Sequence, residues 1–195
     1  MKAAEVEKLV RRMKRIQDKT GEHAGEGCEW QHTSPEGDTT TYKLVGVKAP
    51  EVFEDEIREL LTWWWNGKDY LKKRAKAVGQ SAQMIEDMVN SDRALAICSD
   101  LANSQKHGGL DPSHKPRSGE NPVLSPVKYS ASSANGGIRS ITFGPDGLVV
   151  PEFDPEKTDI TMEVRNDAGV VIGDALDLLN HAVSRWEDVL GQFQQ

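Results

Sequence analysis

The sequence predicts an α+β fold, mainly a helical bundle with a small antiparallel β-sheet before the C-terminal helix. Three observations support this prediction. Apolar residues recur at helical spacing through most of the first half of the chain. Short alternating runs separated by turn signals such as Asn135-Gly136 follow between about residues 121 and 172. Helical spacing then returns after Asp174. We predict two parts: residues 1–48, a basic amphipathic helix with a flexible loop, and residues 49–195, a single domain.

The composition bounds the class of protein. The chain has 195 residues, a net charge of -7 and a mean hydropathy of -0.58, so it is polar but long enough for a real core. No apolar run approaches the roughly 20 residues that span a bilayer, and the charged N-terminus is no secretory signal. Cys28 and Cys98 are expected to be free thiols, so the predicted location is cytoplasmic and no membrane partner is expected.

The N-terminal region predicts one helix followed by a loop. Residues 1–19 hold seven Lys or Arg around an apolar stripe, which is typical of a helix packed on its own domain or on a twin subunit. Membrane, nucleic-acid or partner docking are the alternatives. Residues 20–41 are predicted to be a loop. Its His23, Cys28 and His32 match no zinc spacing, so no metal and no cofactor are predicted. A short strand is expected from Thr41 to Val47.

The next helix is predicted from Pro50 to about Ala77 and carries three consecutive tryptophans, Trp63 to Trp65. At least two of these rings should be buried, because three exposed indoles would favour aggregation. A polar stripe follows at helical spacing beside the aromatic residues: Thr62, Asn66, Asp69 and Lys73. A short helix capped by Ser81 should come next.

The stretch Ser91–Gly109 predicts a central helix that Ser91 caps and Gly108 ends. Four polar residues fall within an arc of roughly 80° on a helix of 100° per residue. They are Arg93, Asp100, Asn103 and His107. We expect this polar edge to face the Asn66 and Asp69 stripe. The predicted binding residues are Arg93, Asn66, Asp69, Lys106 and Trp65.

The remainder predicts a polar, locally basic loop over Asp111–Asn121, then three to five short strands, then a final helix. Asp174 should cap that helix, which runs to about Phe193 and is expected to pack on the tryptophan-rich helix.

Two motifs carry a resemblance. The segments WWNGKDY at residues 64–70 and DLANSQKH at residues 100–107 resemble an uncharacterised family of bacterial and phage proteins. The spacing Asn103-x-x-x-His107 also resembles half of the motif of the HEPN superfamily, helical proteins of which many are metal-independent ribonucleases. That resemblance implies His107, Asn103 and Asp100 as catalytic residues. Ala102 stands where the superfamily has an arginine.

Two functions follow as predictions. The first is a non-enzymatic binding protein of bacterial or phage origin, linked to phage-defence or toxin biology, with a protein partner or a second copy of itself. The alternative is a HEPN-like, metal-independent endoribonuclease or nucleotide-binding protein whose partner is RNA or a nucleotide. The polar stripe also has a purely structural interpretation, as a hydrogen-bonded network between helices.

Overall fold

A computed structural model describes residues 3–109 and 115–193 and has an α+β fold. The helices are α1 (Ala3–Gly21), α2 (Pro50–Ala77), α3 (Gln83–Ser91), α4 (Arg93–His107) and α5 (Ala175–Gln192). The strands are β1 (Ala24–Thr33), β2 (Thr39–Val47), β3 (Val123–Leu124), β4 (Lys128–Ser130), β5 (Ile138–Phe143), β6 (Leu148–Phe153), β7 (Asp159–Thr161), β8 (Glu163–Arg165) and β9 (Val171–Asp174). Residues 110–114 of the predicted basic loop lie outside the described residues.

The chain divides into two compact units. The first contains the described parts of Met1–Thr20, Asp55–Ser125 and Met162–Gln195, and the second contains Gly21–Glu54 and Pro126–Thr161. This division does not follow the predicted boundary at residue 48, because α1 belongs with the later helices. The side chains of α1 contact both α2 and α5: Arg12 lies over the ring of Trp63, and Gln17 donates a hydrogen bond to Asn180.

In the second unit a four-stranded sheet has the order β1-β2-β6-β5. The β2–β6 pair is parallel and its neighbours are antiparallel, while β4 pairs with β7 separately. The prediction of a flexible loop at residues 20–41 is therefore wrong, since β1 and the start of β2 occupy most of this segment. Gly27 explains the missed strand: it sits at a β-bulge with φ of 80°, where a Cβ would lie 1.7 Å from the carbonyl oxygen of Leu44.

The first unit has its own antiparallel sheet, in the order β3-β8-β9. The single antiparallel sheet predicted at about residues 121–172 is thus wrong in its placement. Its strands are shared among three sheets, and the largest of these recruits β1 and β2 from residues 24–47.

The core of the first unit contains two stacked tryptophans, which confirms that α5 packs on α2. Trp64 and Trp186 are both fully buried, with ring centroids 5.2 Å apart and planes inclined by 6°. Each indole N–H also donates across the helix pair, from Trp64 to the carbonyl of Ala182 and from Trp186 to the carbonyl of Trp64. Gly67 lies against the ring of Trp186, so a side chain there would have to displace it.

The other two tryptophans of α2 are half-buried, so the prediction of at least two buried rings is wrong. Cations cover them instead of apolar side chains. The guanidinium carbon of Arg12 lies 3.8 Å from the ring centroid of Trp63, and the Lys68 ammonium lies 3.9 Å from that of Trp65. Such cation–π contacts stabilise a tryptophan ring that is only partly buried, because the cation is attracted to the face of the ring.

Helix ends follow the predicted logic with two exceptions. At the start of α3 the N-cap residue is Ala82 and not Ser81, although the Ser81 hydroxyl accepts a hydrogen bond from the Gln83 amide at 3.1 Å. Gly108 ends α4 in the left-handed conformation with φ of 70°, and Asp174 caps α5 through hydrogen bonds from the amides of Leu176 and Asp177. Asp92, and not Ser91, caps α4. Its carboxylate accepts hydrogen bonds from the backbone amides of Ala94 and Leu95 at the start of the helix. No helix within residues 3–109 and 115–193 has the length and apolar character needed to cross a membrane.

Candidate functional site

A cavity of about 380 Å³ opens between α2 and the end of α4, within the first unit. It brings together four of the five predicted binding residues. The lining residues are Thr62, Trp65, Asn66, Asp69, Ala102, Gln105 and Lys106. The α2 half of this lining consists of Trp65 and three of the four residues of the predicted polar stripe, without Lys73.

The cavity combines an acid, a base, two amides and an indole. Asp69 and Lys106 are exposed, and neither forms a hydrogen bond or ion pair with another described residue. The Gln105 amide lies 3.4 Å from both the Arg58 carbonyl and the Thr62 hydroxyl, which ties α4 to α2. Opposite charges and both kinds of hydrogen-bonding group are therefore available to a ligand.

The α4 half of the cavity differs from the predicted edge. The predicted edge holds Asp100, Asn103 and His107, whereas Ala102, Gln105 and Lys106 face α2. On a helix of 100° per residue these two sets lie on different sides, and only one can face α2. Sequence reasoning missed Gln105. The signal that could have found it is Ala102, one turn earlier, whose small side chain leaves space for a cavity between α4 and α2.

Asp100 is buried and holds a loop. Its carboxylate accepts hydrogen bonds from the backbone N–H groups of Arg117 and Ser118, both at 2.9 Å, and from the Ser118 hydroxyl at 2.7 Å. Such a fully engaged carboxylate orders the backbone around it. The geometry thus matches the structural interpretation of this residue, which does not line the cavity.

The other residues of the predicted edge do not line the cavity. Arg93, at the start of α4, forms an ion pair with Glu120 at 2.8 Å. Asn103 is half-buried and His107 is exposed in the last turn, and neither lines the cavity. None of Asp100, Asn103 and His107 lines the α2–α4 cavity, and their role as one catalytic set stays a prediction.

A cluster of charges around one buried lysine lies beside the cavity wall. Glu86 on α3 contacts Lys68 at 3.3 Å, Lys72 at 2.7 Å and Arg117 at 2.8 Å. Burial raises the pKa of Glu86, but hydrogen bonds from Lys72 and Arg117 and the charge of Lys68 outweigh it and lower the pKa to about 2. Burial also lowers the pKa of Lys68, against the opposing effect of Glu86. The same Lys68 supports the Trp65 wall of the cavity.

No family model, curated protein or solved structure matches the chain. The resemblance to the HEPN superfamily and to the bacterial and phage family stays a prediction.

The residues considered for zinc lie in the second unit. The His23 ring nitrogen donates to the carbonyl of Thr158 at 2.7 Å, which engages one of its two nitrogens. Among the residues that the structure describes, no group of three His, Cys, Asp or Glu is placed to hold a metal ion.

Asp100→Ala is expected to lower the free energy of unfolding by about 2 kcal/mol, because it leaves three hydrogen-bond donors of the 117–118 segment without their acceptor. Urea unfolding followed by far-ultraviolet circular dichroism measures the change. Asp87→Ala is the matched control, since Asp87 is exposed and accepts from Gln83 on the same helix. Equal effects of the two substitutions would contradict a special role for Asp100.

Proposed function

We propose that the chain acts by binding, without catalysis, and that the α2–α4 cavity holds a polar segment of a protein partner. The observation that carries this proposal is the meeting of Trp65, Asn66, Asp69 and Lys106 around one cavity. Two opposite charges that pair with no other described residue, beside an aromatic wall, suit a peptide, whose backbone offers donors and acceptors and whose side chains offer charge. We place this activity in the cytoplasm.

The exposure of Asp69 and Lys106 favours a role in binding over a role in stabilising the fold. Asp69 and Lys106 are exposed, so little free energy of folding depends on them. Charges that serve neither a core nor an ion pair are free to meet complementary groups of a partner. The Trp65 ring, with the Lys68 ammonium 3.9 Å from its centroid, adds an aromatic surface of the kind enriched in protein interfaces.

The ribonuclease alternative has less support. Asp100 is committed to the 117–118 segment, and neither Asn103 nor His107 lines the α2–α4 cavity. A general acid or base acts only within hydrogen-bond reach of the reacting group and of its partners. Ala102, at the position of the superfamily arginine, lines the cavity with a methyl group.

The test is selection of a random peptide library, displayed on phage, against the immobilised protein. We expect enriched peptides to bind the wild-type chain and to bind Asp69→Lys and Lys106→Glu at least about ten-fold more weakly, as for a lost charge contact. The binding of synthesised peptides is measured by isothermal titration calorimetry. Asp87→Lys, an equal charge change on exposed α3, should leave the affinity unchanged.

Two outcomes would overturn the proposal. Peptides that bind Asp69→Lys and Lys106→Glu as tightly as the wild type would place any binding elsewhere. Cleavage of RNA by the purified protein in EDTA, abolished by His107→Ala, would replace binding with the ribonuclease alternative.

A further inference from the structure

A second groove lies between α1 and α2 and is both basic and aromatic. It has a volume of about 260 Å³. Its lining residues are Glu5, Lys8, Leu9, Arg12, Arg15, Trp63 and Tyr70. We propose that this basic-aromatic groove binds single-stranded nucleic acid. The inference is independent of the α2–α4 cavity, because the two surfaces share no lining residue.

The positive charge of the groove is available to a ligand. Lys8 and Arg15 are exposed and form no ion pair with another described residue. The Lys73 ammonium, on the next turn of α2, lies 5.9 Å from the ring of Tyr70 and adds to the same side. Phosphate groups respond to such a local field even though the whole chain has a net charge of -7, because salt screens distant charges.

Acidic residues offset this charge only in part. Glu5 lines the groove, and Glu59 accepts a hydrogen bond from the Trp63 indole at 3.3 Å. The Glu59 contact engages the indole N–H at the edge of the ring, while Arg12 covers one of its faces. Three cations against one acid among the lining residues leave the groove positive.

Planar groups distinguish this groove from a simple basic patch. The guanidinium of Arg12 covers one face of Trp63, and Tyr70 is 38% exposed. Unpaired bases stack on aromatic rings and on guanidinium planes, while the adjoining cations follow the phosphates. A duplex hides the faces of its bases, so this combination favours a single strand.

A membrane surface fits the groove less well. Amphipathic helices bind bilayers by inserting their apolar face. In α1 that face is used by the fold, since Val6 and Met13 are fully buried and Val10 is 6% exposed. Only the cationic side of the helix is left for a ligand.

The test measures fluorescence anisotropy of labelled oligouridine and oligothymidine of about a dozen nucleotides at low salt, near 50 mM NaCl. We expect wild-type protein to bind one or both strands. Arg12→Glu/Arg15→Glu should bind at least about ten-fold more weakly, and Tyr70→Ala about five-fold more weakly through lost stacking. Arg11→Glu/Lys14→Glu is the matched control, because it makes the same charge change on α1 outside the groove, where Lys14 pairs with Glu187. Its affinity should stay within about two-fold of wild type.

Tighter binding of oligouridine or of oligothymidine supports the proposal and identifies RNA or DNA, respectively, as the ligand. The neutral pair Arg12→Gln/Arg15→Gln, checked for native circular dichroism, guards against misfolding and should weaken binding in the same direction. Four results would each overturn the proposal: no binding at low salt, equal losses for the two glutamate pairs, equal binding of a duplex of the same length, or phosphatidylserine vesicles bound in place of oligonucleotides.

Discussion

Trp186→Ala is expected to lower the free energy of unfolding by about 4 kcal/mol, the range measured for large aromatic residues removed from a core. The ring is fully buried and stacks on Trp64, which loses its partner. Two further losses add to the cavity. The carbonyl of Trp64 loses the donor at 3.1 Å, and Gly67 no longer has the indole against it.

Urea unfolding followed by far-ultraviolet circular dichroism measures this change, because α1, α3, α4 and α5 all lie in the first unit. Tyr70→Ala is the control on α2: its ring is 38% exposed, so its removal should cost under about 1 kcal/mol. Trp186→Phe keeps an aromatic ring but not the donor and should fall between the two. A Trp186→Ala protein as stable as Tyr70→Ala would mean that the stacked pair is not the centre of this core.

The helices could be predicted from the sequence because their determinants are local. The apolar spacing of α2 and α5, the cap at Asp174 and the glycine stop at Gly108 all act within a few residues. Even the partner of α5 could be predicted, since the Trp186 side of that helix needs a large apolar surface and α2 carries the tryptophans.

The strands could not be placed because their pairing is long-range. The parallel pair β2–β6 joins residues about a hundred positions apart, such as Tyr42 and Val149, and no local pattern encodes that register. Gly25 and Gly27 resemble loop residues in sequence. In the structure they allow close approach of neighbouring backbone, which is why a side chain is excluded there.

Half of the candidate site could be predicted for the same reason. The stripe of Asn66 and Asp69 depends only on the spacing within α2, and it lines the cavity as expected. The side of α4 that meets it depends on how two helices pack, which periodicity alone does not determine. The sequence predicts that the edge with Asp100 faces this stripe, whereas the Asp100 carboxylate accepts hydrogen bonds from the 117–118 segment, whose position no local pattern encodes.

Glu86→Gln is expected to lower the free energy of unfolding by about 3 kcal/mol near neutral pH, because it leaves buried Lys68 without a counter-charge. The side chain of Lys68 is only 7% exposed, and Lys72 and Arg117 crowd the same carboxylate. Without the negative charge, three cations face one another across a neutral amide. Glu187→Gln is the matched control, since its exposed pair with Lys14 should leave the stability nearly unchanged.

The pH dependence of this difference tests its origin. The pKa of Glu86 lies at about 2 in the folded chain, against an ordinary value of 4.5. A carboxyl whose folded pKa is depressed stabilises the fold above its unfolded pKa and loses that contribution as the pH falls through the folded pKa. The difference in the free energy of unfolding between wild type and Glu86→Gln should therefore reach its full size above pH 4.5 and should shrink towards pH 2.

A gap that stays constant over that pH range would contradict the electrostatic explanation, since a packing defect does not titrate. A gap that closes would show that the ionised carboxylate holds α2, α3 and Arg117 together. Through Lys68 the same charge supports the Trp65 ring, so Glu86→Gln should also weaken peptide binding at the α2–α4 cavity, in which Glu86 itself takes no part.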